Sequence, residues 1–167
     1  MTIRIGIITI SDRSSRAERP DTSGPALVEA ISKQGWLVSR TTILPDEFQA
    51  IVATLTDWAD NGEMDVILTT GGTGFSQRDV TPEATSAVIQ RSTPGLSEAM
   101  RNASLRITPH AMLSRAVAGI RARTLIVNLP GNPKGAVENL EVLMPVIPHA
   151  VQLLQEDPSA EVGHHAL

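Results

Sequence analysis

The 167-residue chain contains no cysteine. That absence excludes disulfide frameworks, thiolate zinc sites and cysteine nucleophiles together, and it fits a reducing compartment. Aromatic side chains are nearly as scarce: Trp36, Phe48, Trp58 and Phe75 make up 2% of the sequence. Single-stranded nucleic acid would find almost no stacking platform on such a surface. Positive charge is short as well. With a formal net charge of −4 there is no broad basic face for a duplex, although a local pocket for one small anion remains open. No apolar stretch approaches the roughly 20 residues of a membrane span. The opening segment MTIRIGIITISD carries a charge inside its apolar run and lacks a small-residue cleavage site, so it reads as a strand and not a signal peptide. We therefore expect a cytoplasmic protein that engages neither nucleic acid nor membrane.

What is present is ordinary for a globular chain: 41% apolar and 19% charged residues, enough to bury a core without staples. We expect a single domain over residues 1–155 and a flexible tail over 156–167. Ile3 to Ile10 is a nearly continuous β-branched run, as in a strand covered on both faces. The polar segment Ser11–Asp21 follows. A helical pattern opens at Ser23-Gly24-Pro25 and stops near Gly35. Trp36–Leu44 reads as a second strand, and Phe48, Ile51, Val52, Leu55 and Trp58 recur at helical spacing up to Asn61-Gly62. Met64–Thr70 is a third strand. Thr81-Pro82 predicts an N-cap with proline at the first helical position. A helix is expected over Gly95–Leu105 and a last strand over Thr124–Leu129, with a hairpin partner near Val117–Ile120. The helical region Ala136–Leu154 should break at Pro145 and Pro148. Alternating strands and helices predict an α/β three-layer sandwich, a central mostly parallel β-sheet flanked by helices. Ligands of such open sheets bind beyond the carboxyl ends of the strands.

The four most unusual segments, Ser11-Asp12-Arg13, Pro45-Asp46-Glu47, the Gly71–Asp79 loop and Pro130–Lys134, all follow strands. Gly71, Gly72 and Gly74 can adopt positive φ and bring backbone amides close to an anion, with Thr69, Thr70 and Thr73 adding hydroxyls. Such a turn is either a tight connection or an anion cradle; Arg78-Asp79 and Thr81-Pro82-Glu83 downstream favour the cradle. The spacing matches neither the dinucleotide fingerprint nor the P-loop. Asp46 and Asp79 could meet at one sheet edge and suit Mg²⁺, which takes one or two carboxylates plus substrate phosphates. Asp46 could equally be a helix-start residue facing the dipole. Pro130, Gly131, Asn132 and Lys134 form either a rigid ligand-facing loop or an ordinary turn. Ser114-Arg115 offers a hydroxyl and a guanidinium suited to phosphate. Arg13, Arg16 and Arg19 could clamp an acidic ligand, but three arginines in a polar loop are more often solvated. His110, His149, His164 and His165 show no ligand spacing and receive no role. Trp36 and Trp58 are read as packing residues.

Together ITISDR, LPDE, LTTGGTGFSQRDVTPEAT, PGLSEAMR, LSRAVAGI and NLPGNPKG resemble the molybdopterin adenylyltransferase family. This is the MoaB/Mog superfamily with the Mog-type bacterial proteins and the G domains of plant Cnx proteins and gephyrin. The likeness runs from about residue 3 to 155. It implies a molybdenum-cofactor-binding-like fold, a homotrimer, and transfer of AMP from Mg-ATP to the terminal phosphate of molybdopterin. The product would pass to a molybdenum insertase. Carried over by motif, Asp46 and Asp79 would be the catalytic, Mg²⁺-organising carboxylates, and Thr70 with Gly71–Gly74 would hold phosphate or nucleotide. Ser11, Asp12, Ser114, Arg115, Asn128, Pro130, Gly131, Asn132 and Lys134 would line the pterin and nucleotide pocket. The alternative within the superfamily is a non-catalytic MoaB-type protein that binds molybdopterin or its precursor; RDVTPEAT and PGNPK favour the catalytic branch.

Overall fold

The structure, a computed structural model, describes residues 2–158. Most of the expected tail, with His164 and His165, lies outside the described residues. A six-stranded sheet has the order β2-β1-β3-β6-β5-β4. Strands β2 (Leu37–Leu44), β1 (Arg4–Ile10), β3 (Val66–Thr70) and β6 (Thr124–Leu129) are parallel neighbours. Strand β5 (Ala118–Arg121) returns antiparallel to β6, and β4 (Arg91–Ser92) antiparallel to β5.

Alternation within the apolar runs builds two core layers, because successive side chains point to opposite faces of a strand. Ile5 and Ile7, Val66 and Leu68, and Leu125, Val127 and Leu129 face one layer. There they meet Leu27 and Ile31 of α2 (Ser23–Lys33), Met100 of α5 (Pro94–Leu105), Leu140 of α6 (Pro133–Leu143) and Val151 of α7 (Ile147–Leu154). Ile8, Ile10, Ile67 and Ile126 face the other layer, against Ile51, Leu55 and Trp58 of α3 (Phe48–Asp60) and Ala84 and Val88 of α4 (Thr81–Val88). Trp36 and Trp58 are packing residues, as expected.

Several boundaries differ from the sequence reading. The polar segment after β1 contains a short helix α1 (Asp12–Ser15), capped by Ser11, whose side chain accepts from the Ser14 amide. The starting cap of α2 comes from Asp21, which accepts from the Gly24 amide at 3.1 Å. Thr81 is not an N-cap. Its amide donates to the Gly72 carbonyl at 3.1 Å, so it is already the first helical residue, and Val80 occupies the cap without a side-chain bond. The C-terminal helices break at Met144–Val146 around Pro145, while Pro148 fits the first turn of α7, where a missing N–H costs nothing.

At the amino ends of the parallel strands, Asp65 ties the layers together. It accepts from the Arg4 amide at 2.8 Å, from the Arg4 guanidinium at 2.8 and 3.2 Å, and from Gln155 at 2.7 Å. Burial pushes the Asp65 carboxyl up, but its Arg4 and Gln155 partners outweigh that and hold it below its ordinary value. A depressed carboxylate contributes stability that is complete above its unfolded pKa of about 3.9 and is lost as pH falls through the lower folded value. Asp65→Asn is expected to cost on the order of 2 kcal/mol at neutral pH. The deficit should shrink below about pH 3.5, where both proteins carry a neutral group in the unfolded state. Urea titrations at pH 7 and pH 3 check this; a deficit independent of pH would remove the ionic contribution.

Candidate active site

Because β2, β1, β3 and β6 are parallel neighbours, their carboxyl ends stand in one row and deliver four loops to one edge. Adjacent exits are tied to each other. The Ser11 amide donates to the Leu44 carbonyl at 2.9 Å, and the Gly71 amide to the Leu129 carbonyl at 3.3 Å. Thr70 Oγ1 donates to the Pro130 carbonyl at 2.6 Å. Asp46 and Asp12 exchange bonds: the Asp12 amide donates to Asp46 Oδ2 at 2.9 Å and the Asp46 amide to Asp12 Oδ1 at 3.0 Å. Asp46 is thus no helix cap, and its carboxylate turns to the neighbouring exit.

The glycine turn has a steric basis. Gly71 and Gly72 have φ of +103° and +66°. A Cβ on Gly72 would run into Thr81 Oγ1 and lie 3.0 Å from Asp46 Oδ1, and one on Gly74 would lie 2.9 Å from Asp79 Oδ2. The missing side chains leave room for Thr81 and for both carboxylates beside this turn. Asp79 itself accepts from the Ser76 amide at 3.1 Å.

Two pockets flank the turn. The first, about 380 Å³, is lined by Ser11, Asp46, Thr70, Gly71, Gly72, Asp79, Gly131 and Asn132. The second, about 350 Å³, takes in Thr73, Gly74, Ser114, Pro130, Asn132 and Lys134. Both volumes sit at the lower end of the small-molecule range. Burial pushes the Asp46 carboxyl above its ordinary value, and the charges of Asp12 and Asp79 add to that; the Asp12 amide and Arg78 oppose it. Hydrogen bonding to Arg78 instead holds Asp12 below its ordinary value. Among the described residues no three His, Cys, Asp or Glu side chains form a metal cage. Asp46 and Asp79 are half-buried and line the same pocket, and two carboxylates are donors of the kind that could hold a hard dication together with water and phosphate oxygens.

Three expected pocket residues are corrected by the geometry. Asn128 is fully buried, and its carboxamide is spent on Thr69, Thr85 and the Val117 amide. Arg115 braces the glycine loop: Nε donates to the Gly74 carbonyl and Nη2 to the Asp79 carbonyl, each at 2.7 Å, and Nη1 pairs with Glu83. Asp12 is held by Arg78. None of the three lines either pocket. Conversely Arg19, from the arginine loop, lines the first pocket, while Arg16 pairs with Glu18 at the surface. His110, Arg101 and Asn139 line the second. No spacing signal marked them, since the Pro109–Leu113 3-10 helix that presents His110 comes from packing on α5.

The fold and site define a class: an open-sheet α/β protein whose aligned strand exits bring a glycine turn and two carboxylates to one pocket. The family described as a probable molybdopterin binding domain matches residues 6–149, and the chain belongs to it. A molybdopterin adenylyltransferase of Helicobacter pylori is 44% identical over 92% of this chain and 88% of its own length. Gephyrin of Dictyostelium discoideum is 44% identical over 95% of this chain, which spans only 23% of that protein. The structure of the molybdopterin biosynthesis enzyme MoaB from Thermus thermophilus superposes with a TM-score of 0.88 at 50% identity, covering 94% of this chain and 99% of that one.

Proposed function

We propose that this chain is a molybdopterin adenylyltransferase of molybdenum cofactor biosynthesis, transferring AMP from ATP to the terminal phosphate of molybdopterin. The observation that carries the reading is the convergence of Asp46 and Asp79 on the Gly71–Gly74 turn. A terminal phosphate oxygen of the pterin attacks the α-phosphorus of ATP. A new P–O bond forms, the bond to the bridging β-phosphate oxygen breaks, and pyrophosphate leaves with the electron pair. The attacking oxygen is already ionised at neutral pH, so no general base is required, and the protein's task is positioning and charge neutralisation. Backbone amides of the glycine turn hold an anion between the two pockets. Asp46 and Asp79 hold Mg²⁺, which when bound supplies charge neutralisation at the reacting phosphates. Arg19 and Lys134 bring positive charge to the two ligand sides.

Residues 1–155 form the working unit, acting as a cytoplasmic homotrimer that passes its adenylylated product to a molybdenum insertase. The family resemblance supports these points, and exposed Ile107, Met112 and Leu113 give apolar surface for assembly. The test is incubation with molybdopterin, Mg²⁺ and ATP, followed by assay of pyrophosphate and adenylylated pterin. Absence of product where a known adenylyltransferase yields it sinks the reading.

In this scheme Arg115 acts through Asp79. Arg115→Lys cannot span both the Gly74 and Asp79 carbonyls and is expected to lower kcat roughly 10- to 100-fold. Initial rates with thermal melts check it; an unchanged kcat would leave Arg115 without a positioning role.

A further inference from the structure

Asp46 and Asp79 arrive from strand exits separated by β1, and holding a dication between them requires that the two loops keep one spacing. The link between the two loops runs through Arg78. Its Nε and Nη2 donate to Asp12 Oδ2 and Oδ1, both at 2.9 Å, a bidentate fork of the kind that fixes geometry as well as charge. Asp12 is bonded to Asp46 at 2.9 and 3.0 Å through their amides and carboxylates. Arg78 is the chain neighbour of Asp79, whose carbonyl is fixed from the other side by Arg115 at 2.7 Å. A continuous path thus connects one carboxylate to the other: Asp79, Arg78, Asp12, Asp46.

We infer that the Arg78–Asp12 ion pair is a positioning brace that sets the spacing of Asp46 and Asp79, and thereby the affinity of the site for a dication bound with a polyphosphate. The inference rests on the proposed function for the identity of that ligand. Neither partner needs to touch it: Asp12 lines neither pocket, and both of its oxygens are occupied. A merely structural pair gives a different signature. The Arg78 side chain is 60% exposed, and pairs so open to water contribute little to folding. A brace therefore changes metal affinity far more than melting temperature. A direct phosphate contact by Arg78 differs again, because Asp12 would then be dispensable.

The experiment is a double-mutant cycle on the full chain with Arg78→Gln, Asp12→Asn and both together. Asn at position 12 keeps an oxygen for the Asp46 amide and loses only the charge pair. Mn²⁺ binding is measured by electron paramagnetic resonance in the presence of α,β-methylene-ATP, which cannot release pyrophosphate. Each single variant is expected to weaken Mn²⁺ binding about 10-fold or more, as loss of a partner that orients a metal ligand does. The double variant should be no weaker than the worse single one, since both break the same link. Arg78→Lys, which keeps charge but not the fork, should fall between. Melting temperatures should stay within about 3 °C of wild type. Additive losses, a loss confined to the Arg78 variants, or binding losses that track melting temperature would each overturn the brace. Wild-type protein that binds Mn²⁺ with the analogue yet makes no product overturns the proposed activity and leaves the brace standing. Wild-type protein that binds no Mn²⁺ overturns both.

Discussion

Asp79→Asn protein is expected to fold and bind molybdopterin while losing AMP transfer by a factor of about 10³. The substitution is nearly isosteric. The Asp79 side chain accepts one protein bond, from the Ser76 amide at 3.1 Å, and an asparagine oxygen can accept it equally, so the loop turn survives. What disappears is the negative charge. A neutral amide is a poor ligand for a hard dication, and the second carboxylate, Asp46, comes from a different strand exit and cannot replace it. The loss should therefore fall on kcat, because charge at the reacting phosphates is compensated chiefly in the transition state. Single-turnover pyrophosphate release and calorimetry with molybdopterin separate the two quantities. Transfer within threefold of wild type would remove Asp79 from the metal's shell. A chain that only binds the pterin would behave differently, since the wild type itself would release no pyrophosphate.

The parts of the fold legible in the sequence are those set by short-range pattern. β1 and β3 are legible as short β-branched runs and β6 as a last strand, and in β1 the structure shows why no alternation of polarity interrupts the run: Ile5 and Ile7 face one helical layer and Ile8 and Ile10 the other. β4 left no trace, because two residues carry no period. It exists through pairing of Arg91 with Ile120, a contact with no local signature. The site divides the same way. Loops that follow strands fall on one edge from topology alone, which places the glycine turn, Asp46 and Asp79 together. Which polar residues of those loops face solvent could not be read. Asn128, Arg115 and Asp12 are polar residues of the motifs around this edge, yet each spends its side chain on protein partners far away in sequence. Supporting and contacting residues share composition and position; only long-range hydrogen bonding tells them apart.

The same distinction predicts that two alanine substitutions in the one glycine turn will fail in different ways. At Gly71 a new Cβ would stand 2.2 Å from the Ile10 carbonyl oxygen, at a φ of +103°. The obstacle is backbone of the adjacent strand, which cannot rotate aside, so β1 and β3 must part or the turn must be rebuilt. Left-handed strain and the overlap together are expected to cost about 3 kcal/mol or more, a fall in Tm of roughly 6–12 °C for a chain of this size. At Gly74 φ is not positive, and a Cβ would meet only Asp79, with Oδ2 at 2.9 Å. A carboxylate can swing away. Gly74→Ala should therefore melt within about 2 °C of wild type, but its displaced Asp79 should lower AMP transfer by about 10-fold or more. Melting curves and initial rates on both variants read the contrast directly. A Gly71→Ala protein as stable as wild type would refute the steric account of the turn. A Gly74→Ala protein with full activity would show that Asp79 tolerates displacement, and the claim that this glycine serves the carboxylate would fall with it.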